Sequence, residues 1–225
     1  MNAHRFEMHF HTSEVSSCAS VSASRSVPAY HDLGYEGIVV TDHYAPQFFE
    51  EIASLSWKQQ VDRYLAGFIL ASEIGARLNL TILLGMEIRF AENNNDYLVY
   101  GLDRRFLTDN PCLYQMNIKT FHQLARKHHL LVFQAHPLRN SMTIVNPQWL
   151  DGYETFNANP RHDSRNDIAS RWAQKFSLPA ISGSDFHDPG DEGRSGLDFD
   201  NAIPDNPALV KALTNQAYSL VVPES

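Results

Sequence analysis

The stretch Phe6-Glu7-Met8-His9-Phe10-His11-Thr12 decides the reading of this chain. It reads as a short apolar strand ending on two histidines. Residues two apart on a strand point to the same side, so His9 and His11 can grip one metal ion together. Alone, the pair reads equally well as two polar residues near a strand end. Its weight comes from repetition. Asp42-His43 follows Gly37-Ile-Val-Val-Thr, Glu87 sits within Leu83-Leu-Gly-Met-Glu-Ile, His136-Pro137 ends Leu130-Leu-Val-Phe-Gln-Ala, and Asp185-Phe186-His187 ends Ala180-Ile-Ser-Gly-Ser. Histidines and carboxylates that keep arriving at the C-terminal ends of strands describe the rim of a barrel carrying a multinuclear metal site.

The strands expected from apolar runs bounded by Gly, Pro or Asp are 6–10, 37–41, 80–90, 97–102, 130–135, 153–156, 179–182 and 218–222. Such short apolar runs suit buried parallel strands. Amphipathic helices fall between them. Residues 57–78 place Trp57, Val61, Leu65 and Phe68 on one face, 120–129 place Phe121, Leu124, Ala125 and His128, and 164–176 place Ile168, Trp172 and Phe176. Alternating strands and helices imply a parallel α/β fold. With about seven or eight strands and functional residues at their C-terminal ends, a barrel fits best. An open doubly wound sheet is the alternative, but no glycine-rich phosphate loop follows the first strand.

Composition sets the outer bounds. The 225 residues suit one domain, with 43% hydrophobic and 20% charged residues, as in a soluble globular protein. No apolar run reaches about 18 residues, so no membrane span is expected. Residues 1–7 lack the basic start and apolar centre of a leader peptide. The two cysteines, Cys18 and Cys112, form no CxxC pair, and a reduced cytoplasmic protein is expected. A net charge of −8 argues against stable binding of long nucleic acid. It leaves room for a phosphorylated substrate, because divalent cations would reverse the local field.

Each strand end has its own logic. Asp42 beside His43 suggests a ligand and an orienting carboxylate, as metal-bound imidazoles commonly need. Glu87 within an apolar run is costly unless it is paired or holds metal, and its two oxygens could bridge two cations. Pro137 would fix His136 at the rim, and Gly183 would let the backbone crowd the site. The His/carboxylate set suits zinc, manganese or iron. His4, His31, His122, His128 and His129 lie away from strand ends, and His128 is expected to complete an apolar helix face. Cys112 is expected in a buried or loop position.

The pieces HFHT at 9–12, TDH at 41–43, GMEI at 85–88, AHP at 135–137 and GSDFH at 183–187 resemble, in order, the polymerase and histidinol phosphatase (PHP) family of metal-dependent phosphoesterases. The resemblance implies a single PHP-type domain over 1–225, folded as a distorted (β/α)7 TIM-like barrel with two or three divalent metals at the C-terminal ends of its strands. It implies that His9, His11, Glu87 and Asp185 hold a first metal, that Glu87 and His136 hold a second, and that His43 and His187 hold a third. At two positions the chain departs from the family. Asp96 stands where the family often has a histidine for the second site. Glu14, or less favourably Cys18, stands for the acid or histidine that completes the third.

Such a site implies hydrolysis of a phosphoester by a metal-bridging hydroxide, on a small phosphorylated metabolite, a nucleotide or a short oligonucleotide. Arg194, in Asp191-Glu-Gly-Arg-Ser-Gly, could fork onto phosphate. In the loop 157–166, Arg161 or His162 could contact substrate, and His162 could protonate the leaving group. Glu154 is expected to support this loop. An amidohydrolase-type enzyme is the alternative, opposed by the lack of lysine between Gly85 and Pro111 and by the late Asp-x-His. A non-catalytic metal-binding regulatory domain is the third reading, motivated by Asp96 and Glu14.

Overall fold

The computed structural model describes residues 4–223. Met1–Ala3, within the segment 1–7 considered above for a leader, and the last two residues lie outside the described residues. The strands are β1 (His4–Phe10), β2 (Gly37–Val40), β3 (His43–Tyr44), β4 (Thr81–Arg89), β5 (Asp96–Tyr100), β6 (Leu131–Gln134), β7 (Gly152–Asn157), β8 (Ala180–Gly183), β9 (Gly196–Phe199) and β10 (Tyr218–Val221). The helices are α1 (Ala23–Asp32), α2 (Pro46–Glu51), α3 (Trp57–Tyr64), α4 (Ala66–Leu78), α5 (Arg104–Asp109), α6 (Ile118–Lys127), α7 (Asn166–Phe176) and α8 (Asn206–Asn215).

Seven strands run in the order β1-β2-β4-β5-β6-β7-β8. The ring is nearly closed where the chain leaving β8 returns to β1. There the Phe186 N–H donates to His9 O at 3.1 Å and the His11 N–H to Phe186 O at 3.2 Å. This is the distorted seven-stranded barrel expected. The antiparallel pair β9–β10, joined through α8, extends the sheet from the other edge of β1, and β3 pairs only with β4.

The barrel is not all parallel. β5 runs antiparallel to both β4 and β6. The reason is the short link after β4, where Asn93-Asn94-Asn95 turns the chain. A parallel return would need a crossover of about a dozen residues or more.

A register shift interrupts β1 between Glu7 and Phe10. Phe6 and Met8 pack with Val39, Leu83, Leu98 and Phe133 and with Leu209 and Leu213 of α8. Phe10 instead joins a cluster with Val27, Tyr30 and Ala71 from α1 and α4. The irregularity re-aims the strand, as bulges do beside active sites. Glu7, fully buried, supports it: its Oε1 accepts the N–H groups of Met8, His9 and Ser184, each at 2.9 Å. Its Oε2 accepts the Tyr30 hydroxyl at 2.9 Å.

Three helical expectations need correction. Residues 57–78 form two helices, with Leu65 at the joint. A Cβ on Gly67, just beyond it, would meet Thr12 Oγ1 at 2.0 Å and Asp42 Oδ2 at 2.7 Å, so the start of α4 packs directly on the Thr12–Asp42 pair. On α6 the buried histidine is His122, whereas His128 is an exposed cap whose ring meets Phe106 edge-on. On α7 the buried face is Ala169 and Ala173, because small residues let the helix approach the sheet; Ile168 and Phe176 are exposed. None of the helices among the described residues is long and apolar enough to cross a membrane.

Gly183 is where β8 passes beneath the site. A Cβ there would lie 2.5 Å from His9 Cβ and 3.0 Å from Glu154 Oε1. Gly183→Ala is expected to lower unfolding free energy by about 1–3 kcal/mol in a denaturant titration, the usual cost of overpacking.

Candidate metal centre

The strand ends bring the expected residues together. His9, His11, Glu87, Asp96, His136 and Asp185 are all buried, and His43 and His187 are half-buried at the mouth. Their ligand atoms form four groups, each within 4.8 Å: His9/His11/Glu87, His9/His136/Asp185, Glu87/Asp96/His136 and His11/His43/His187. Asp96 thus takes the place the resemblance gave it, beside Glu87 and His136.

Glu87 is the hub. Its carboxylate lies 3.3 Å from His9 Nε2, 3.4 Å from His11 Nε2, 2.8 Å from His43 Nδ1 and 3.2 Å from His136 Nε2. Burial would push Glu87 up, but His9, His43 and His136 hold it well below the usual carboxylate range. Burial likewise opposes ionisation of Asp185, and the histidines, His9 foremost, hold it well below its ordinary value. The imidazoles divide. Burial would depress His9, yet Glu154, Asp185 and Glu87 carry it well above the ordinary value. His11 is driven well below it by burial and by His187 and His43. The buried carboxylates therefore require positive charge at this spot, which a proton on His9 or a bound cation can provide.

Whether these residues fit a cation is tested by their unsatisfied atoms. His9 Nε2 and His11 Nε2 are buried and find no hydrogen-bond partner among the described residues. Leaving such groups unpaired is costly, and a metal ion would satisfy both. The opposite ring nitrogens are already fixed. His9 Nδ1 bonds Glu154 Oε1 at 2.8 Å, His187 Nδ1 bonds Asp185 O at 2.8 Å, and His11 Nδ1 approaches Ser16 Oγ at 3.2 Å. This leaves each Nε2 with a lone pair facing the centre, the usual arrangement of metal-bound histidine. The residues fit the group.

His136 and Asp185 hold left-handed backbone angles, with φ of 28° and 53°. Non-glycine residues adopt them at a cost of about 1–3 kcal/mol each, a strain concentrated at functional sites.

Asp42 does not orient His43 directly. It accepts the N–H and hydroxyl of Thr12 and the hydroxyl of Ser16, so it holds the loop after β1 and, through Ser16, His11. Burial raises it to about 6 despite those donors. Glu154 does more than support its loop. Besides His9, its Oε2 accepts the His136 N–H and the Asn157 side-chain amide, each at 2.9 Å.

Glu14 does not reach the cluster. Its carboxylate accepts Ser22 Oγ at 2.5 Å and Ala23 N at 3.1 Å at the start of α1. Cys18 stands there instead, its Sγ 3.2 Å from His187 Nε2. A cavity of about 230 Å³ opens on the centre, lined by Asp96, His136, Asp185 and His187 together with Arg89, Arg139, Arg161 and His162. Arg161 lines it but is engaged by Asp191 through two bonds of 3.0 and 2.6 Å. Arg194 donates to Gly190 O and does not line it. Sequence reading missed Arg139, whose NH2 group donates to Asp185 Oδ2 at 2.8 Å and to Asn157 Oδ1 at 3.0 Å. Its Nε is buried without a partner among the described residues. Its signal was its place three residues after His136, in the loop leaving a ligand-bearing strand.

Replacing Glu154 with glutamine would put an amide N–H against either the His136 N–H or the His9 Nδ1–H. Glu154→Gln is expected to weaken metal binding about 10- to 100-fold in a calorimetric titration, as loss of a ligand's supporting acceptor does.

No curated protein matches the chain in sequence. Residues 163–218 match the PHP-associated family. Among solved structures, a two-domain protein from Bacteroides vulgatus containing a predicted PHP-like metal-dependent phosphoesterase superposes with a TM-score of 0.71 at 19% identity. The match covers 97% of this chain, which spans 64% of that protein's length. An amidohydrolase from Chromobacterium violaceum with bound sulfate gives a TM-score of 0.55 at 13% identity over 83% of this chain and 89% of that one. The lesion-specific endonuclease Q of Pyrococcus furiosus gives 0.58 at 13% identity over 96% of this chain and 57% of that one. The chain thus shares the barrel fold of these structures, and its C-terminal part matches the PHP-associated family model.

Proposed function

We propose that the chain is a metal-dependent phosphoesterase acting on a small phosphorylated metabolite, a nucleotide or a short oligonucleotide. The observation that carries this reading is the junction of two features. Buried imidazole nitrogens without partners and buried carboxylates face one point, and the cavity above that point is lined by three arginines. His9, His11, Glu87 and Asp185 would hold a first divalent metal, and Glu87, Asp96 and His136 a second. Zinc, manganese or iron suits this donor set. When bound, the metals would supply Lewis acidity toward water and phosphoryl oxygen.

The chain's own residues do the rest. Arg139 is held by Asp185 and Asn157, so its guanidinium is fixed at the cavity wall before substrate arrives. Arg89, paired with Asp96 through bonds of 2.7 and 2.6 Å, adds positive charge on the other side of the cavity. Burial and the neighbouring Arg139 guanidinium hold His162 below the ordinary imidazole value. It is therefore neutral near pH 7, and an arriving phosphoryl dianion would raise its affinity for a proton that it can pass to the leaving oxygen. The cavity size suits a terminal phosphoester, and the net charge of −8 disfavours long duplexes. The likeness to the endonuclease keeps short oligonucleotides within the proposed class.

The test is hydrolysis of phosphomonoesters, phosphodiesters and short oligonucleotides by metal-loaded and chelator-treated protein. Hydrolysis that requires metal is expected. Arg139→Ala should lower kcat about a hundredfold, the scale for losing one preorganised donor, with Arg139→Lys between the two. The reading fails if no phosphoester is cleaved by protein shown to carry metal.

A further inference from the structure

The mouth of the site contains a thiol that the phosphoesterase reading does not use. Cys18 lies in the loop between β1 and α1, and its Sγ is 3.2 Å from His187 Nε2. That nitrogen carries the lone pair, since His187 Nδ1 donates to Asp185 O. His43 lies on the other side, its Nδ1 at 2.8 Å from Glu87 Oε2, so its Nε2 is the nitrogen left to face outward. The thiol lines the cavity together with both imidazoles. A second observation marks the same place. The fully buried His11 Nε2 has no hydrogen-bond partner among the described residues, and it groups with His43 and His187 within 4.8 Å. The His11 ring stands 4.4 Å from that of His43 and 4.3 Å from that of His187. Three imidazoles converge without a carboxylate from the loop after β1, because Glu14 is held at the start of α1.

We propose that Cys18 completes a third cation site with His43 and His187, and that its sulfur makes this site select zinc over manganese. The inference rests on the metal-dependent reading above. Two imidazoles and a thiolate are a three-ligand set that leaves one position open to water or substrate. Thiolate favours zinc, whereas the oxygen-rich positions around Glu87 and Asp185 accept harder ions as well. His11 faces both this pair and Glu87, so the third cation adjoins the first. Binding releases the thiol proton to solvent and forms a metal–sulfur bond, with no change of oxidation state.

Cobalt substitution reads the bond directly. Cobalt-loaded wild-type protein should show the intense near-ultraviolet sulfur-to-cobalt charge-transfer band. Cys18→Ser should lose the band while keeping the visible cobalt bands of the remaining positions, and Cys112→Ser should leave it intact. Metal analysis after exposure to equal zinc and manganese should show Cys18→Asp shifted toward manganese. Zinc should also slow alkylation of Cys18 by iodoacetamide in the wild-type protein, a readout that needs no variant. Visible cobalt bands without the charge-transfer band in wild type would overturn the thiolate ligand and leave the phosphoesterase reading standing. So would alkylation that zinc does not slow in protein shown to hold zinc. Absence of every cobalt band would overturn both.

Discussion

The buried carboxylate of Glu7 is the interaction on which the rest of this structure depends. A barrel mouth lined with ligands requires β1 to change its facing at His9 and to receive the end of β8 at the same place. Both needs break the regular ladder and leave backbone N–H groups without strand partners. Glu7 accepts three of them and the Tyr30 hydroxyl as well. An ionised carboxylate with several donors is a strong acceptor, and the surrounding burial makes losing any one of them expensive. Burial raises the Glu7 affinity for a proton and the donors lower it. Burial prevails, so the Glu7 carboxyl is held above its ordinary value.

From that closure the site follows by short steps. His9 meets Glu154 from β7, Glu154 meets the His136 backbone after β6, and Asn157 ties Glu154 to Asp185 after β8. His9 and the His136 backbone are therefore oriented by an acceptor on another strand, and Asp185 by a donor. The strained backbone at His136 and Asp185 persists because this network determines their positions more than once.

The strand ends were legible in the sequence because their signal is local: an apolar run, then a ligand. That was enough to locate His9, His11, His43, Glu87, Asp96, His136, Asp185 and His187 in one cluster. What was not legible depends on partners distant in the chain. Glu7 reads as an ordinary polar residue on an alternating strand, and only Ser184 and Tyr30 give it meaning. The misplacement of Glu14 has one specific cause. Helix α1 buries Ala23, Ser26, Val27 and Tyr30, but Ser24, Ser26 and Pro28 are poor helix formers that mask it, and its start captures the Glu14 carboxylate. With α1 unread, Glu14 looked free to ligate and Cys18 looked the poorer choice. The antiparallel β5 has a local cause instead: the link between Arg89 and Asp96 is too short for a parallel crossover, a signal carried by the link and not by the residues of the strand.

The charges of the cavity imply an order among its cation positions. Asp96 gives both oxygens to the Arg89 guanidinium, so a cation between Asp96 and His136 must share them with a fixed positive charge. Asp185 gives only Oδ2 to Arg139 and turns Oδ1 toward His9 and His11. Glu87 has no arginine partner among the described residues, and its surroundings are imidazoles that become neutral ligands once they lose their protons. Coulomb repulsion in a poorly screened interior is large, so on the proposed reading a cation between Glu87 and Asp185 would be held more tightly than one beside Asp96. The histidine that the family resemblance places at Asp96 would carry no such paired arginine. Replacing it by an aspartate locked to Arg89 keeps the local charge near neutral and places a guanidinium where an anionic substrate enters. On the proposed reading, the same substitution would weaken one cation position and place a guanidinium among the groups that face phosphate.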